Sequence, residues 1–546
     1  MTMTPKFSPT GGRATRRTVL ARFGGGAAAL AATRLAAAQE ATPVAAPPVT
    51  SQTGAPLPEA ITGIMTQPRY DYSRWGLYVA DRETGEVIYD LRGNERFLAA
   101  STTKLYPSAA ALHAYGPDYR FETPVYRTGT VSEDGVLEGD LVLVASGDLT
   151  MGGRTTPDGH ISYTAMDHIY ANVFPAMAIL TPEDPLAGLN DLAQQVAAAG
   201  ITQVNGDVLI DDRLFPAMEK DTYILSPIWI NDNLIDLVVT PGAVGEPATL
   251  TWRPQTAAFE VQSNVQTVAA DEPLDLSVTS PSPGVITVSG SIPVNVPQAV
   301  QTYQVPDPAA FARTLFIEAL GRAGVTVAAN ATGPNPDDKL PPAGSYSADD
   351  RVALFTSPPF AENITLINKV SMNQHADMLI FLLALKAGET SFEAGLAQIP
   401  LFLQELGLDP DAVSLSDGRG NVYTDLFSPR AVAQLLQAMA HHPDFPVYFA
   451  SLPILGVDGS ETDTVAATSP VAGKAQAKSG TTVDADVMHL RPLTMVRGLA
   501  GYMTAKSGRE LIFALYVSDV PLADTLDVLN IVTEQGTIAE IIYDLN

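Results

Sequence analysis

The chain has 546 residues, 46% hydrophobic and 17% charged, a globular composition too long for a single core, so several domains are expected. Its formal charge of -28 disfavours nucleic acid and anionic membrane as partners, so any anionic substrate must be met by a local cationic site. The absence of cysteine excludes disulfides, a lipidated-cysteine anchor and zinc–thiolate sites.

The first 38 residues read as an address. Thr15-Arg16-Arg17-Thr18-Val19-Leu20 is a twin-arginine signature, followed by a Gly/Ala segment and a small-residue cleavage site, Ala36-Ala37-Ala38. The expected product is exported by that route to the periplasm, or to an extracellular, cell-wall-associated location. No later apolar run suggests a membrane span in the mature chain. Residues 39–58 form a Pro/Ala-rich linker.

Trp75–Asp81 and Glu86–Asp90 alternate around Arg82-Glu83-Thr84-Gly85, which predicts a hairpin. Ser101-Thr102-Thr103-Lys104 then opens an alanine-rich run predicting a helix. Strand patterns at Val136–Val144 and Val208–Asp212 flank an amphipathic helix at Leu186–Ala199. Short β-type runs with Pro/Ser/Gly turns fill 241–299. Pro308–Ala323 reads as helix and Val325–Val327 as extended chain. Helical patterns return at Ile364–Val370, Ala376–Ala387, Glu393–Leu406 and Pro429–His441. Strands follow at Gln476–Thr481, Val496–Thr504 and Glu510–Val517, and a last helix covers about 523–541.

On a helix, the i, i+3 spacing of Ser101 and Lys104 puts both on one face. A serine hydroxyl is a poor nucleophile until a base takes its proton, and an amine of depressed pKa is such a base. Alone, the pair also fits an N-cap serine beside a solvated lysine. Two further clusters follow in order: Ser371-Met372-Asn373 and Lys478-Ser479-Gly480-Thr481. Ser-x-x-Lys, Ser-x-Asn and Lys-Ser/Thr-Gly recur together in serine enzymes with a lysine base. A second Lys-Ser-Gly, at 506, reads as a hairpin turn. Tyr170-Ala171-Asn172 competes for the middle position without a loop that resembles an active site. No His-Glu-x-x-His or Gly-x-Ser-x-Gly pattern is present, which demotes metallopeptidase and Ser-His-Asp readings.

With these motifs, most of 60–545 resembles the D-alanyl-D-alanine carboxypeptidase/endopeptidase family, the class C low-molecular-mass penicillin-binding proteins. Further carriers are Asp140–Asp148 with its Gly-Asp turn, Gly206–Asp212, Asn231-Asp232-Asn233, Val239-Thr240-Pro241-Gly242 and Gly498–Tyr502. The resemblance implies an α/β (α+β) fold: a penicillin-binding-protein/β-lactamase-like transpeptidase domain, an antiparallel sheet flanked by helices. That domain would comprise 59–118 and 354–546. An α/β domain would be inserted at 119–240 and 300–353, with a mainly β domain nested at 241–299.

The resemblance also implies a serine-type D-Ala-D-Ala carboxypeptidase acting on peptidoglycan peptide stems, open to DD-endopeptidase activity on crosslinks, and acylated by β-lactam antibiotics. Ser101 would be the nucleophile, Lys104 its base and Ser371 a proton relay. Asn373 would hold the substrate amide and orient Lys104. Lys478, with Ser479 or Thr481, would bind the terminal carboxylate, and the backbone N–H groups of Ser101 and Thr481 would form the oxyanion hole. No metal or other cofactor is required. A non-turnover penicillin-binding or scaffolding protein and a β-lactam hydrolase are the alternative readings. Three departures stand out. Met372 replaces the usual acid of Ser-Asp-Asn. Asp417-Gly418-Arg419-Gly420 replaces an Asp-Gly-Ser-Gly signature, either as a plain turn or with Arg419 meeting a stem carboxylate. Residues 150–180 look longer than the family's equivalent.

Overall fold

The computed structural model describes residues 54–546, Val422 excepted, so the signal-peptide reading and most of the linker lie outside the described residues. Its central element is a five-stranded antiparallel sheet. The predicted hairpin forms β1 (Arg74–Asp81) and β2 (Val87–Leu91). The chain's end supplies β3 (Ala475–Asp486), β4 (Arg491–Thr504) and β5 (Glu510–Pro521). The strand order is β2-β1-β5-β4-β3, so β3 forms one edge.

Strand alternation sorts side chains into two cores. From β5, Leu511, Phe513, Leu515 and Val517 join Leu77 and Val79 of β1 beneath the C-terminal helix, where Ile531, Ile538 and Ile542 meet them. Ile512, Ala514 and Tyr516, with Tyr78 and Ala80, face the opposite layer. Burial on both faces explains why Leu511–Val517 reads as an unbroken apolar run.

The opposite layer contains α1 (Leu105–Tyr115), α2 (Phe360–Val370), α3 (Asn373–Lys386) and α4 (Pro429–Ala440). Ser428 caps α4 by accepting from Ala431 N, and Pro429 occupies its first turn. The predicted 393–406 helix is two pieces, Phe392–Leu396 and Gln398–Glu405.

Between α1 and α2 the chain builds a third apolar core. Helices Ala187–Ala198 and Pro308–Arg322 pack there with strands Leu141–Val144 and Val208–Asp211. The predicted strand over 136–144 is interrupted at Gly139-Asp140, and its halves enter different sheets. Strand Thr249–Arg253 pairs with Leu234–Thr240, and Glu260–Val268, Asp275–Ser282 and Val285–Pro293 form a separate three-stranded sheet. Among the described residues no helix is long and apolar enough to cross a membrane.

Candidate active site

Ser101 lies on a 3₁₀ turn, Ala100–Lys104, that leads into α1 rather than on the α-helix itself. Residues i and i+3 eclipse in a 3₁₀ turn, which stacks Lys104 against Ser101. Ala100 enters the turn with φ 44°, and Thr102 Oγ1 donates back to Ala99 O at 2.5 Å. Tyr516 on β5 donates to Thr102 Oγ1 at 3.0 Å, tying the turn to the sheet. Gly420, at φ 86°, closes over it; a Cβ there would sit 1.7 Å from Ala100 O.

The Lys104 amine is fully buried. It lies 2.8 Å from Ser101 Oγ, 2.8 Å from Asn373 Oδ1 and 3.1 Å from Arg419 O. Burial holds it well below the ordinary lysine pKa; Lys478 pushes the same way, while Asp417 and Asp377 oppose. A neutral amine has two N–H groups and one lone pair. The Asn373 Oδ1 and the Arg419 carbonyl can only accept, so they take both N–H groups. The lone pair is left for the Ser101 hydroxyl. That is the geometry of a general base.

Ser371 and Asn373 come from the junction of α2 and α3. Ser371 ends α2 in the left-handed conformation (φ 66°, ψ 41°), and α3 starts two residues later. Lys478 Nζ on β3 donates to Ser371 Oγ at 2.9 Å and to Ser479 O at 2.8 Å. Burial pushes the Lys478 pKa down to about 7, with Glu461 opposing and Arg497 adding to the fall. Gly480 is where β3 crosses the turn that carries Ser101: a Cβ would fall 2.6 Å from Ser101 N and 2.8 Å from Thr102 N. Ser479 is buried and Thr481 exposed on this edge strand.

Three distant motifs therefore meet at one site. Ser101, Lys104 and Asn373 form one hydrogen-bonded group, and Ser371, Lys478 and Ser479 form another. Arg419 arrives through its carbonyl. Its guanidinium is 5% exposed, bonded to Asp417 at 3.2 Å and Asp221 at 3.1 Å, and lies over the Tyr223 ring. That side chain is committed to carboxylates of the protein and not left open for one of a substrate. Asp417 Oδ1 also accepts from Arg419 N and Gly420 N, fixing the turn. The second Lys-Ser-Gly is a turn between β4 and β5, with Gly508 at φ 90°.

Met372 is fully buried in an apolar cluster with Ile161, Leu366 and Val370, flanked by Tyr163, Ile169 and Tyr170. The 150–180 segment thus shares in the setting that replaces the acid, adding Ile161, Tyr163, Ile169 and Tyr170 to Leu366 and Val370 of α2. Asn172 of the rival Tyr170-Ala171-Asn172 is engaged with Thr302 backbone atoms. Sequence reasoning missed Asp377, Glu461 and Arg497 at this site, and it met Tyr170 only as part of the rival motif, not as a partner of the Ser371 turn. Only Asp417 carried a signal, the Asp-Gly-x-Gly turn.

Residues 57–536 match the D-Ala-D-Ala carboxypeptidase 3 (S13) family. The chain belongs to that family. A D-alanyl-D-alanine carboxypeptidase of Actinomadura sp. (strain R39) is 29% identical over 500 residues, covering 86% of this chain and 83% of that protein. The carboxypeptidase DacB of Haemophilus influenzae is 23% identical, covering 84% and 88%. The crystal structure of penicillin binding protein 4 from H. influenzae superposes with a TM-score of 0.67 at 21% identity, covering 89% of this chain and 99% of that one, and so shares the fold.

Proposed function

We propose that Ser101 is the nucleophile with which this serine-type D-Ala-D-Ala carboxypeptidase opens peptidoglycan stem peptides. Lys104, neutral in the resting site, takes the Ser101 proton as Oγ attacks the carbonyl of the penultimate D-alanine. The backbone N–H groups of Ser101 and Thr481 stabilise the oxyanion, a contribution of about 3–4 kcal/mol per donor. Ser371 passes a proton to the departing amine, the C–N bond breaks, and the last D-alanine leaves. Water then hydrolyses the Ser101 ester. Lys478, with Ser479 or Thr481, receives the terminal carboxylate, the local cation that an acidic protein needs. Arg419 contributes its carbonyl by orienting Lys104. Cleavage of a crosslink uses the same steps with a substituted leaving amine.

One observation carries this reading: a fully buried lysine amine 2.8 Å from a serine hydroxyl, with both its N–H groups claimed by pure acceptors. A β-lactam presents an acyl carbonyl and a carboxylate to the same groups, so penicillin acylates Ser101. The twin-arginine pattern at Thr15–Leu20 supports export to the cell wall. We place the catalytic domain at 59–118 and 354–546, with 119–240 and 300–353 inserted and 241–299 nested.

Labelled penicillin followed by denaturing electrophoresis tests the nucleophile. A covalent band that disappears in Ser101→Ala is expected; a band surviving the substitution defeats the assignment. Release of D-alanine from a synthetic D-Ala-D-Ala peptide is expected as well. Acylation without release would favour a non-turnover penicillin-binding protein.

A further inference from the structure

The αL residue Ser371 is a serine in a conformation that glycine normally fills at a helix end. The α2 terminus also leaves carbonyls without helical partners. Tyr170 meets that end of the helix: its single O–H is shared between Val370 O at 3.1 Å and Ser371 O at 3.0 Å. Burial pushes that phenol up to about 12, so it remains a donor. The segment bearing Tyr170 is fastened to α2 upstream, where Glu362 accepts from Ile161 N at 3.0 Å and pairs with His160.

The start of α3 has a matching arrangement. Its N-cap position is Met372, which caps nothing. His375, fully buried in the first turn two residues after Asn373, is held instead by Asp232 Oδ1 at 2.6 Å. Asn231, Asp232 and Asn233 are three consecutive non-glycine residues in the left-handed region, at φ 52°, 54° and 53°. A left-handed run of L-residues is disfavoured, and such strain persists only where its surroundings enforce it. The Asp232 Oδ2 is gripped by Arg154 at 2.8 Å and His168 at 2.8 Å; Arg154 is also bidentate to Asp167, and His168 bonds Asp236 at 2.7 Å.

We propose that the 154–170 segment and the left-handed 231–233 turn form a positioning frame for the catalytic junction, Tyr170 holding the turn that presents Ser371 and the Asp232–His375 pair holding the helix start that presents Asn373. The frame works through Ser371 and Asn373, so it rests on the roles given to them above. None of its residues touches the reacting atoms. Reaction rate is sensitive to displacements of about 1 Å in such groups. The frame also accounts for Met372, because the segment that brings Tyr170 and Ile161 needs an apolar partner at that position.

Rapid-mixing acylation of the full chain by a fluorescent penicillin separates the pre-acylation Kd from the acylation rate constant. Tyr170→Phe, which deletes one hydroxyl, is expected to lower the rate constant about tenfold or more with Kd changed less than about threefold. His375→Ala is expected to do the same. His375→Gln, whose amide N–H can reach Asp232, is expected to recover much of the rate. Asn172→Ala, which loosens the same segment from Thr302 alone, is expected to lower the melting temperature and leave the rate constant unchanged. If Ser371→Ala is slow while folded Tyr170→Phe and His375→Ala both acylate within about twofold of the parent, the frame is overturned and the catalytic reading survives. If Ser371→Ala also acylates at the parent rate, the role of Ser371 fails and the frame with it.

Discussion

The three contacts of Lys104 fit either protonation state, and its environment decides between them. Both companion acceptors lack a proton to give, so an ammonium could satisfy all three oxygens, while a free amine must turn its lone pair toward Ser101. Burial and Lys478 select the amine. With the roles proposed above, kcat/KM in the free enzyme should rise with pH as Lys104 deprotonates and fall above about 7 as Lys478 loses the charge proposed to receive the carboxylate. Asn373→Asp puts a negative charge on Lys104, stabilises the ammonium and should move the rising limb to higher pH in a D-alanine release assay. An unmoved limb would detach it from Lys104. Met372 makes the opposite kind of point. Met372→Asp restores the usual acid of the family, yet it buries a carboxylate between Ile161, Leu366 and Val370. It should cost roughly 3–5 kcal/mol in urea unfolding, and a neutral result would refute the apolar role of this side chain.

Elements meet at the site through backbone as much as through side chains. Edge strand β3 lies so close to the 3₁₀ turn that residue 480 has no room for a Cβ, and the obstructing atoms are the backbone nitrogens of Ser101 and Thr102. Backbone cannot swing aside as a side-chain tip can. Gly480→Ala should separate β3 from Ser101 and slow penicillin acylation by about 100-fold or more while the circular dichroism stays native; parent-like acylation by mass spectrometry would contradict the close approach. The three polar motifs, the hairpin and most helices were legible because their signals are local: spacing within four residues, turn chemistry, apolar period. Residues 150–180 were opaque for the converse reason. Arg154 finds Asp232 at a separation of 78 residues and Tyr170 finds Ser371 at 201, and nothing local in either stretch announces its partner. Arg419 was misleading in the same way, since Asp221, 198 residues away, shares its guanidinium.

At the scale of the whole molecule, the long excursion between α1 and α2 does more than carry a core of its own. Leu149, Phe215, Tyr223, Leu225 and Trp229 belong to the same apolar cluster as α1, α3 and α4, and Trp229 is fully buried there beside His375. Phe215 stacks on Phe381 of α3 with centroids 4.2 Å apart, and the Tyr223 hydroxyl donates to Asp377, whose other oxygen accepts from Gly418 N. The chain between α1 and α2 thus completes the layer in which the site is set, and the two should unfold together. On heating, loss of penicillin acylation and loss of far-UV circular dichroism should coincide in the parent. Phe215→Ala leaves a cavity against α3 worth about 3–5 kcal/mol and should lower both midpoints by the same amount. Acylation persisting after an earlier, separate transition would mean that the layer holding Ser101 stands without the chain between α1 and α2, and that the packing of Phe215 on Phe381 does not couple them.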